Sequence, residues 1–486
     1  MSSNTATGND ADASGDFSNN IATGTFANAS GDGSNNIASG IFANALGAGS
    51  SNIASGIFTN AFGDGSNNIA TGNGANASGE MSSNTATGHH ASASGDNGNN
   101  FAAGTFADAS GADSTNTATG NGANASGEMS SNTATGDQAI ASGTDSANVA
   151  TGRAANASGM NSINTATGAG ANAAGANSFN TASGADANAS GSNGANIASG
   201  LGANASAASG SSRNMATGFF ANASGGNSDN FAGGTHALAL GDNSSNIALG
   251  HNAAASGNNA TNMAIGNGAT ASGNGMAIGT SAFAAGSGDV AVGQGARVEA
   301  DEGSAFGAGA HVLAAHTNST ALGAGATTTR ANQVMMGTGN TTYTMAGIAS
   351  SASKTAVGTP THLVASNASG DVAAYSFAEL GLASAADLSG IQSQIDKLGA
   401  RDEALTEGIA TVAALAQPIL LPGQHFAMRA GWGGYDDANA VGFSAAGVVA
   451  NNLLRQGRGT LTLDGGVGFG TREGEVAGRA GMSFGW

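Results

Sequence analysis

One asparagine recurs through the first half of the chain at intervals of sixteen residues, and once at eighteen. A column of carboxamides can hold a row of ions or ligands, or it can form an amide ladder in which each side chain hydrogen-bonds its equivalent one repeat away. The ladder is favoured, because the calcium-binding phrase G-G-x-G-x-D does not occur and acidic residues are scattered over turn positions. The members of this asparagine ladder are Asn4, Asn20, Asn36, Asn52, Asn68, Asn84, Asn100, Asn116, Asn132, Asn148, Asn164, Asn180, Asn196, Asn214, Asn230, Asn246 and Asn262.

Catalytic chemistry is not indicated elsewhere in the sequence. Serine, histidine and aspartate are present, but a repeat would multiply any catalytic group many times. His89, His90, His236 and His251 follow no evident period, and we interpret them as exposed corner residues. We therefore expect no catalytic residue, no metal ligand and no cofactor, and a protein that is not an enzyme.

The composition is far from that of an ordinary globular protein. Among 486 residues there are 82 glycines and no cysteine, and only 9% are charged. The formal net charge of −19 with 12 Lys and Arg argues against nucleic acid as a partner. Without disulfides or thiolate metal sites, stability must come from regular hydrogen bonding and assembly. No run of 18 apolar residues occurs, so a membrane-spanning helix is not expected.

The elements that position the asparagines follow from the repeat. Each sixteen-residue block carries two short segments of small residues, N-x-A-x and A-x-A-x, separated by glycines, and this pattern continues to Gly273. It predicts a parallel β-solenoid in which glycine accepts positive φ at the corners. The absence of proline before Pro360 agrees, because every strand pairs on both sides. The eighteen-residue block at 195–212 predicts a local bulge.

Side-chain alternation assigns the faces of the coils. The constant alanines, such as Ala22, Ala27 and Ala29, should point into a narrow core. The residue that follows each ladder asparagine should point outward, and a column of Ile, Phe and Met should be an association surface. The solenoid is therefore not expected to be monomeric. This outward column contains Thr5, Ile21, Ile37, Ile53, Ile69, Phe101, Val149, Met215, Phe231 and Ile247.

The repeat shortens to about fourteen residues after Gly266. The phrases M-A-I-G, V-A-V-G, S-A-F-G and T-A-L-G begin at residues 276, 290, 304 and 320. Together with N-S-T-A-L-G-A-G-A at 318–326, they resemble the head repeats of trimeric autotransporter adhesins of the YadA-like type. Residues 330–348 resemble the neck of these adhesins, which implies that three β-rolls are tied together there and narrow onto a coiled coil. The matching neck positions are Arg330, Asn332, Gln333, Val334 and Tyr343.

Heptads follow the neck, after a stretch at 349–381 with no readable pattern. One seam position holds Leu388, Ile395, Asp402, Ile409 and Ala416, and the other holds Ile391, Leu398, Leu405, Val412 and Ile419. Isoleucine at both seam positions favours three strands, so we predict a trimeric coiled coil of roughly 50 Å. The alternative is an ordinary amphipathic helix.

Beyond Pro422 the period becomes two, and four strands are predicted at 424–435, 439–450, 460–470 and 475–486. Each is long enough to cross a bilayer, but four strands cannot close a barrel, whereas three chains would supply twelve. The opposite face carries Gly431, Gly433, Gly481 and Gly485, which would leave room for helices in the lumen. A globular hairpin domain is the alternative. The large residues predicted on the barrel are Phe426, Trp432, Phe443, Phe469, Phe484 and Trp486.

The resemblance implies a homotrimeric adhesin with a twelve-stranded outer-membrane anchor enclosing three helices. The predicted segments are a head at 1–273 and 274–329, a neck at 330–348, a connector at 349–383, a stalk or lumen helix at 384–421 and an anchor at 422–486. Outer-membrane lipid and the barrel-assembly machinery are the expected partners, and Trp486 matches the family's C-terminal aromatic recognition signal. The expected locations are the outer membrane and the cell surface.

The adhesion ligand stays open. The family's collagen-associated phrase N-S-V-A-I-G-x-x-S is not matched at 246–250, and a surface or matrix ligand of unknown identity is expected instead. Two alternatives remain: an ice-binding solenoid, suggested by the T-A-T strands, and a passive spacer or coat layer. Met1 shares its block position with Met81 and Met129, which predicts an upstream start with a signal peptide.

Overall fold

The computed structural model describes residues 1–208, 210–382, 385–454 and 458–486. The chain divides into two compact units, Met1–Tyr343 and Thr344–Trp486. The first is a parallel β-solenoid and the second contains helices, a hairpin and an antiparallel sheet.

In the described part of the first unit there are 28 short strands, each of two or three residues. They are β1 (Thr5–Thr7), β2 (Ile21–Thr23), β3 (Ile37–Ser39), β4 (Ile53–Ser55), β5 (Ile69–Thr71), β6 (Thr85–Thr87), β7 (Phe101–Ala103), β8 (Thr117–Thr119), β9 (Thr133–Thr135), β10 (Val149–Thr151), β11 (Thr165–Thr167), β12 (Thr181–Ser183), β13 (Ile197–Ser199), β14 (Met215–Thr217), β15 (Phe231–Gly233), β16 (Leu238–Leu240), β17 (Ile247–Leu249), β18 (Ala254–Ser256), β19 (Met263–Ile265), β20 (Thr270–Ala271), β21 (Met276–Ile278), β22 (Phe283–Ala284), β23 (Val290–Val292), β24 (Arg297–Val298), β25 (Ser304–Phe306), β26 (His311–Val312), β27 (Thr320–Leu322) and β28 (Val334–Met336).

Twenty-two of these strands form one parallel sheet along one side of the solenoid. Equivalent residues pair in register, as Ala22 does with Ala38, so the repeat length alone sets the alignment. At about 4.8 Å per coil, the sheet is roughly 100 Å long. The predicted parallel solenoid is confirmed.

The other side of each coil is less regular than the sequence suggested. Up to Leu238 the predicted second strand pairs with its neighbours through one residue per coil, as Asn28 does with Asn44. From β16 onward it widens into a second parallel sheet of six strands, which ends at β26. The A-x-A-x segment therefore contributes its alanines to the core more than it contributes hydrogen bonds.

Alanine fills the core, as predicted from the alternation. Ala22, Ala27 and Ala29 are fully buried, and the shorter coils add two larger side chains, Val298 and Val312. Glycine is required where the coils approach closely: at Gly24, with φ of 135°, a Cβ atom would lie 2.3 Å from the carbonyl oxygen of Gly40.

The eighteen-residue coil keeps its register on both sides. Ile197 of β13 pairs with Met215 of β14 as in every other coil. Backbone pairing at Ala207 is also regular, so the two extra residues lie between Ala207 and Ser212. Ser209, within that stretch, is outside the described residues, and the bulge predicted there remains a prediction.

The second unit begins with α1 (Ser351–Val357), capped by Ser350, and the hairpin β29 (His362–Ser366) and β30 (Val372–Ser376). These occupy the segment that had no readable pattern. A 30-residue helix, α2 (Ala385–Ala414), comes next. It ends earlier than predicted, so Ala416 and Ile419 lie outside it; Pro418 disfavours helix at the residue before it. Neither described helix is both long enough and apolar enough to cross a membrane.

Four antiparallel strands complete the chain: β31 (Phe426–Tyr435), β32 (Ala438–Leu454), β33 (Arg458–Gly470) and β34 (Val476–Gly485). They pair in sequence order, and each falls where the alternation predicted it. β32 extends four residues beyond its predicted end, with irregular register after Val448.

Candidate functional site

The ladder asparagines from Asn20 onward are buried, and most use both side-chain atoms in hydrogen bonds, as Asn132 illustrates. Its Oδ1 accepts hydrogen bonds from the backbone N–H of Asn148, at 3.0 Å, and from the Ser146 hydroxyl, at 2.9 Å. Its Nδ2 donates to the carbonyl oxygens of Gly143, at 2.9 Å, and Ser126, at 3.4 Å. Both lone pairs of the amide oxygen are therefore used within the protein, which favours a structural role over ion binding.

The partners differ from those that the sequence suggested. We expected amide-to-amide bonds, but the side chain reaches the backbone of the next asparagine instead. An amide-to-amide bond of the expected kind occurs at Asn262, whose Nδ2 donates to Oδ1 of Asn246, one coil away, at 2.9 Å. In the described part of the eighteen-residue coil, the buried Nδ2 of Asn196 has no partner.

The ladder continues past Asn262 with other residue types, and one of them is acidic. Asp289 is buried, and its carboxylate accepts from the backbone N–H groups of Gly286, at 2.6 Å, and Gly303, at 3.2 Å. Burial raises the pKa of Asp289, against the lowering effect of these two donors, and the nearby charge of Asp301 raises it further. Across the described residues, no three His, Asp or Glu side chains are grouped to hold a metal ion.

The outward column runs the length of the 22-stranded sheet. Its side chains are half-buried or exposed; Ile21, Phe101 and Met215 each keep about two-fifths of their surface, at 41%, 41% and 39%. Successive members are register partners, as Ile37 and Ile53 are, so they form one continuous strip.

A second apolar feature lies at the turn after this strand, and sequence reasoning missed it. The two positions that follow the strand-ending glycine carry ring side chains in many coils. Phe26, Phe42 and Phe58 stack with ring centroids 4.9 and 5.1 Å apart and planes within 7° of parallel. We define the aromatic corner as the residues Phe26, Ile41, Phe42, Ile57, Phe58, His89, His90 and Phe106.

The histidines belong to this same turn, so the interpretation that they follow no period was wrong. His90 stacks on Phe106 at 5.4 Å, and His236 stacks on Phe220 at 5.8 Å. Counting from the glycine that ends each strand, rather than along the sequence, would have found this register.

The neck residues lie at the end of the solenoid unit. Val334 starts β28, which pairs with β27 as one more coil. The Asn332 side chain accepts from Asn318 at 2.9 Å, and Oε1 of Gln333 accepts from the backbone of Thr329. The Arg330 carbonyl accepts from Ser319, and the Tyr343 hydroxyl donates to the Met336 carbonyl. The structure therefore brings Arg330, Asn332, Gln333 and Val334 together in the last coil. Tyr343 is connected to this coil through its bond to Met336 of β28.

In the second unit, glycines form a seat for α2 on one face of the sheet. Gly431, Gly442 and Gly468 are register partners across β31, β32 and β33. A Cβ atom at these positions would lie 2.3, 2.5 and 2.8 Å from carbonyl oxygens of α2. Of the four glycines predicted on this face, Gly431 and Gly433 are covered by the helix of the same chain. Gly481 faces Asp464 instead, and a Cβ atom at Gly485 would have no neighbour within 4 Å among the described residues.

A buried carboxylate fixes α2 along the sheet. Glu407 accepts from the backbone N–H of Arg472, at 2.5 Å, and of Glu473, at 2.6 Å, in the turn between β33 and β34. Its side chain is also packed against Gly470. The turn thus supplies two donors to a charge that is otherwise removed from water.

Polar contacts hold the segment that follows α2. Ser444 donates to the carbonyl of Ala416 at 2.7 Å, and Gln417 donates to Asp464 at 3.1 Å. Arg479 pairs with Asp464 at 2.9 Å and donates to the Leu415 carbonyl at 3.1 Å. This segment, which has no regular secondary structure, is therefore tied to the same face as the helix.

The other face of the sheet is large, apolar and exposed. All six residues predicted there, Phe426, Trp432, Phe443, Phe469, Phe484 and Trp486, are exposed. The predicted seam residues of α2, which are Leu388, Ile391, Ile395, Leu398, Leu405, Ile409 and Val412, are also exposed. β31 and β34 each pair on one side only within the described residues. The unit therefore presents an apolar face, an apolar helix stripe and two free strand edges.

A scan of this chain against protein-family models found no match, and a search of the curated proteins found none either. Function is therefore inferred from the arrangement of residues.

Proposed function

We propose that the chain is a homotrimeric surface adhesin of the outer membrane. Its C-terminal sheet is the anchor, and its solenoid is displayed for attachment to a surface or matrix ligand or for autoaggregation. The barrel-assembly machinery and outer-membrane lipid are its partners during insertion. The observation that carries this proposal is the pair of free edges on a sheet whose exposed face is apolar.

The free edges require a partner in any lipid environment. Unpaired backbone groups cost several kcal/mol each when no water can reach them. An antiparallel sheet of four strands, with β31 at one edge and β34 at the other, closes when three copies join edge to edge into twelve strands. Trp432, Val441, Phe469 and Val476, register partners across the sheet, would then face lipid.

The helix supports the same assembly. One side of α2 packs on the sheet through Glu407, Ala410, Thr411 and Ala414, whereas its heptad stripe is exposed. Leu405, Ile409 and Val412 of this stripe line a groove next to β34. Three such stripes facing one another would bury this surface in a trimeric coiled coil enclosed by the barrel.

The solenoid supports a trimer independently. Most positions of its outward column are apolar, although Thr or Ser occupies others such as Thr85, Thr117 and Thr133, and a monomer would leave these apolar residues in water. Three solenoids packed on their 22-stranded sheets would cover it, while the remaining surface stays exposed. The chain's net charge of −19 favours neutral or basic attachment partners.

The test is the mass of the full chain in mild detergent, after production in a host with an outer membrane. We expect a trimer that fractionates with the outer membrane, resists mild SDS and dissociates on boiling. Cells displaying it should adhere or clump above control cells that lack it. A chain that light scattering finds monomeric and that remains in the soluble fraction would contradict the proposal.

A further inference from the structure

The aromatic corner is not required by the fold. Phe42 has φ of 57°, and Phe26 and Phe58 are similar. A left-handed backbone costs a residue with a Cβ roughly 1 kcal/mol, and glycine avoids that cost. Glycine does occupy the equivalent position at Gly122 and Gly170. Bulky rings therefore stand at this turn against the local backbone preference, which indicates a role other than folding.

The rings are also arranged continuously across a glycine. Between Phe58 and His90 the corner position is Gly74, and a Cβ atom there would lie 2.6 Å from Nδ1 of His90. The His90 ring thus covers the coil that lacks a side chain, and Phe106 stacks beyond it. Six coils carry one apolar edge, roughly 24 Å long at about 4.8 Å per coil.

This edge differs from the outward column in extent. The column follows every coil, as an interface between solenoids should, whereas the corner positions of the shorter coils are small or polar, such as Asn267, Thr280 and Gln294. A local patch suits a ligand better than an assembly contact that must run the length of the solenoid.

Charge identifies the kind of ligand. The twelve positions at 25–26, 41–42, 57–58, 73–74, 89–90 and 105–106 contain no carboxylate and no Lys or Arg. The other turn of the same coils carries the acidic residues Asp16, Asp32, Asp64, Glu80 and Asp96. Of the two turns in these coils, the aromatic corner is therefore the one that can meet an apolar surface without removing a charged group from water.

We propose that the aromatic corner binds an uncharged apolar solid surface, with its ring edges and the two isoleucines lying against that surface. A turn of a solenoid is a convex edge, which touches a flat surface along a line but encloses no small molecule. The site rests on the proposed attachment function and assigns residues and a ligand class to it.

The test uses the full chain, biotinylated at its C-terminus and captured on hydrophilic streptavidin beads. Beads are counted under flow on methyl-terminated and hydroxyl-terminated monolayers. The test variant combines Phe26→Gly, Phe42→Gly and Phe58→Gly, which suit the left-handed backbone. We expect wild-type beads to be retained at least about tenfold better on methyl than on hydroxyl, and the variant to lose that difference.

The matched control combines Phe17→Gly, Met81→Gly and Met129→Gly. These residues have φ of 49–55° at the other turn, and they are at least about as exposed as the corner rings, at 80%, 68% and 56% against 40–57% for the three substituted phenylalanines. This control should be retained like the wild type. Equal losses in both variants, or none in the corner variant, would overturn the assignment.

A second copy of the chain is the competing occupant. If the corner variant reduces clustering between beads but not retention on methyl, the corner is a self-association surface and the proposal is wrong. Surface display is measured separately on cells. If the chain is not displayed but its corner variant still loses retention on the methyl surface, the proposed function is contradicted and this site is supported.

Discussion

Ala414 of α2 lies directly over Gly442 of β32, so that a Cβ atom on residue 442 would come within 2.5 Å of the Ala414 carbonyl oxygen. Contact at this distance leaves no space for a methyl group. The last turn of α2 can therefore lie this close to the sheet only because residue 442, 28 positions later in the sequence, is a glycine.

Gly442→Ala should loosen α2 from the sheet. The residue does not have a positive φ, so the cost is the overpacking of the helix seat, about 1–3 kcal/mol. Hydrogen exchange of α2 amides in the full chain should accelerate. Gly465→Ala is the control, because its Cβ would meet its nearest atom, the Arg479 carbonyl oxygen, at an ordinary 3.5 Å. Equal exchange in both variants would contradict the role assigned to Gly442.

Glu407→Gln should release the turn between β33 and β34. In the wild type, each carboxylate oxygen accepts from one backbone N–H. In the variant, an NH2 group replaces one of these oxygens, so the N–H of either Arg472 or Glu473 loses its acceptor. We expect faster hydrogen exchange in that turn and a loss of about 1–3 kcal/mol. Asp402→Asn, at an exposed position on α2 before Glu407, should leave the turn unchanged.

Asn132→Ala should destabilise its part of the solenoid by about 3 kcal/mol, because the Asn148 N–H and the Gly143 carbonyl lose their partner in a buried place. Limited proteolysis of the full chain should reveal new cleavage near this coil. Asn124→Ala is the matched change: Asn124 is half-buried and bonds Ser126 within its own turn. Cleavage that was equal in both variants would argue against the ladder's structural role.

Ala154→Gly should stabilise the solenoid, although glycine usually destabilises. Ala154 has φ of 55°, so relief of the left-handed strain outweighs the extra unfolded-state entropy by up to about 0.5–1 kcal/mol. Ala169→Gly, at a corner position without positive φ, should destabilise. The urea midpoints of the two variants, measured against the wild type, should move in opposite directions.

The contribution of Asp289 should depend on pH in a direction set by its raised pKa. The folded state favours the neutral acid, so its contribution is most favourable below the ordinary carboxyl pKa and declines as pH rises through the raised value. The stability of the wild type relative to Asp289→Asn should therefore fall between about pH 3 and pH 7. Asp301→Asn should weaken this trend, because the Asp301 charge helps to raise the pKa. A flat difference would contradict the burial of an ionisable Asp289.

Prediction from the sequence succeeded where a pattern is local and repeated. The sixteen-residue period predicted the parallel coils and the buried alanines, such as Ala22 and Ala29, because every copy must adopt the same conformation to pair with its neighbours. Alternation predicted all four C-terminal strands. The end of α2 was misplaced, because the heptad pattern continued beyond Ala414 into a segment that is not helical, where Pro418 disfavours helix and Ser444 of the sheet binds the Ala416 carbonyl.

The sequence by itself determined the solenoid, its alanine core and the antiparallel strands, because hydrophobic period and glycine spacing act over a few residues. Only the tertiary structure decided the backbone partners of each ladder asparagine, the register of the histidines with the phenylalanines, and the clamp between Glu407 and Arg472, which are 65 residues apart. These depend on how coils and elements lie against one another. A contact between distant residues leaves no period in a single sequence, so only the folded arrangement reveals it.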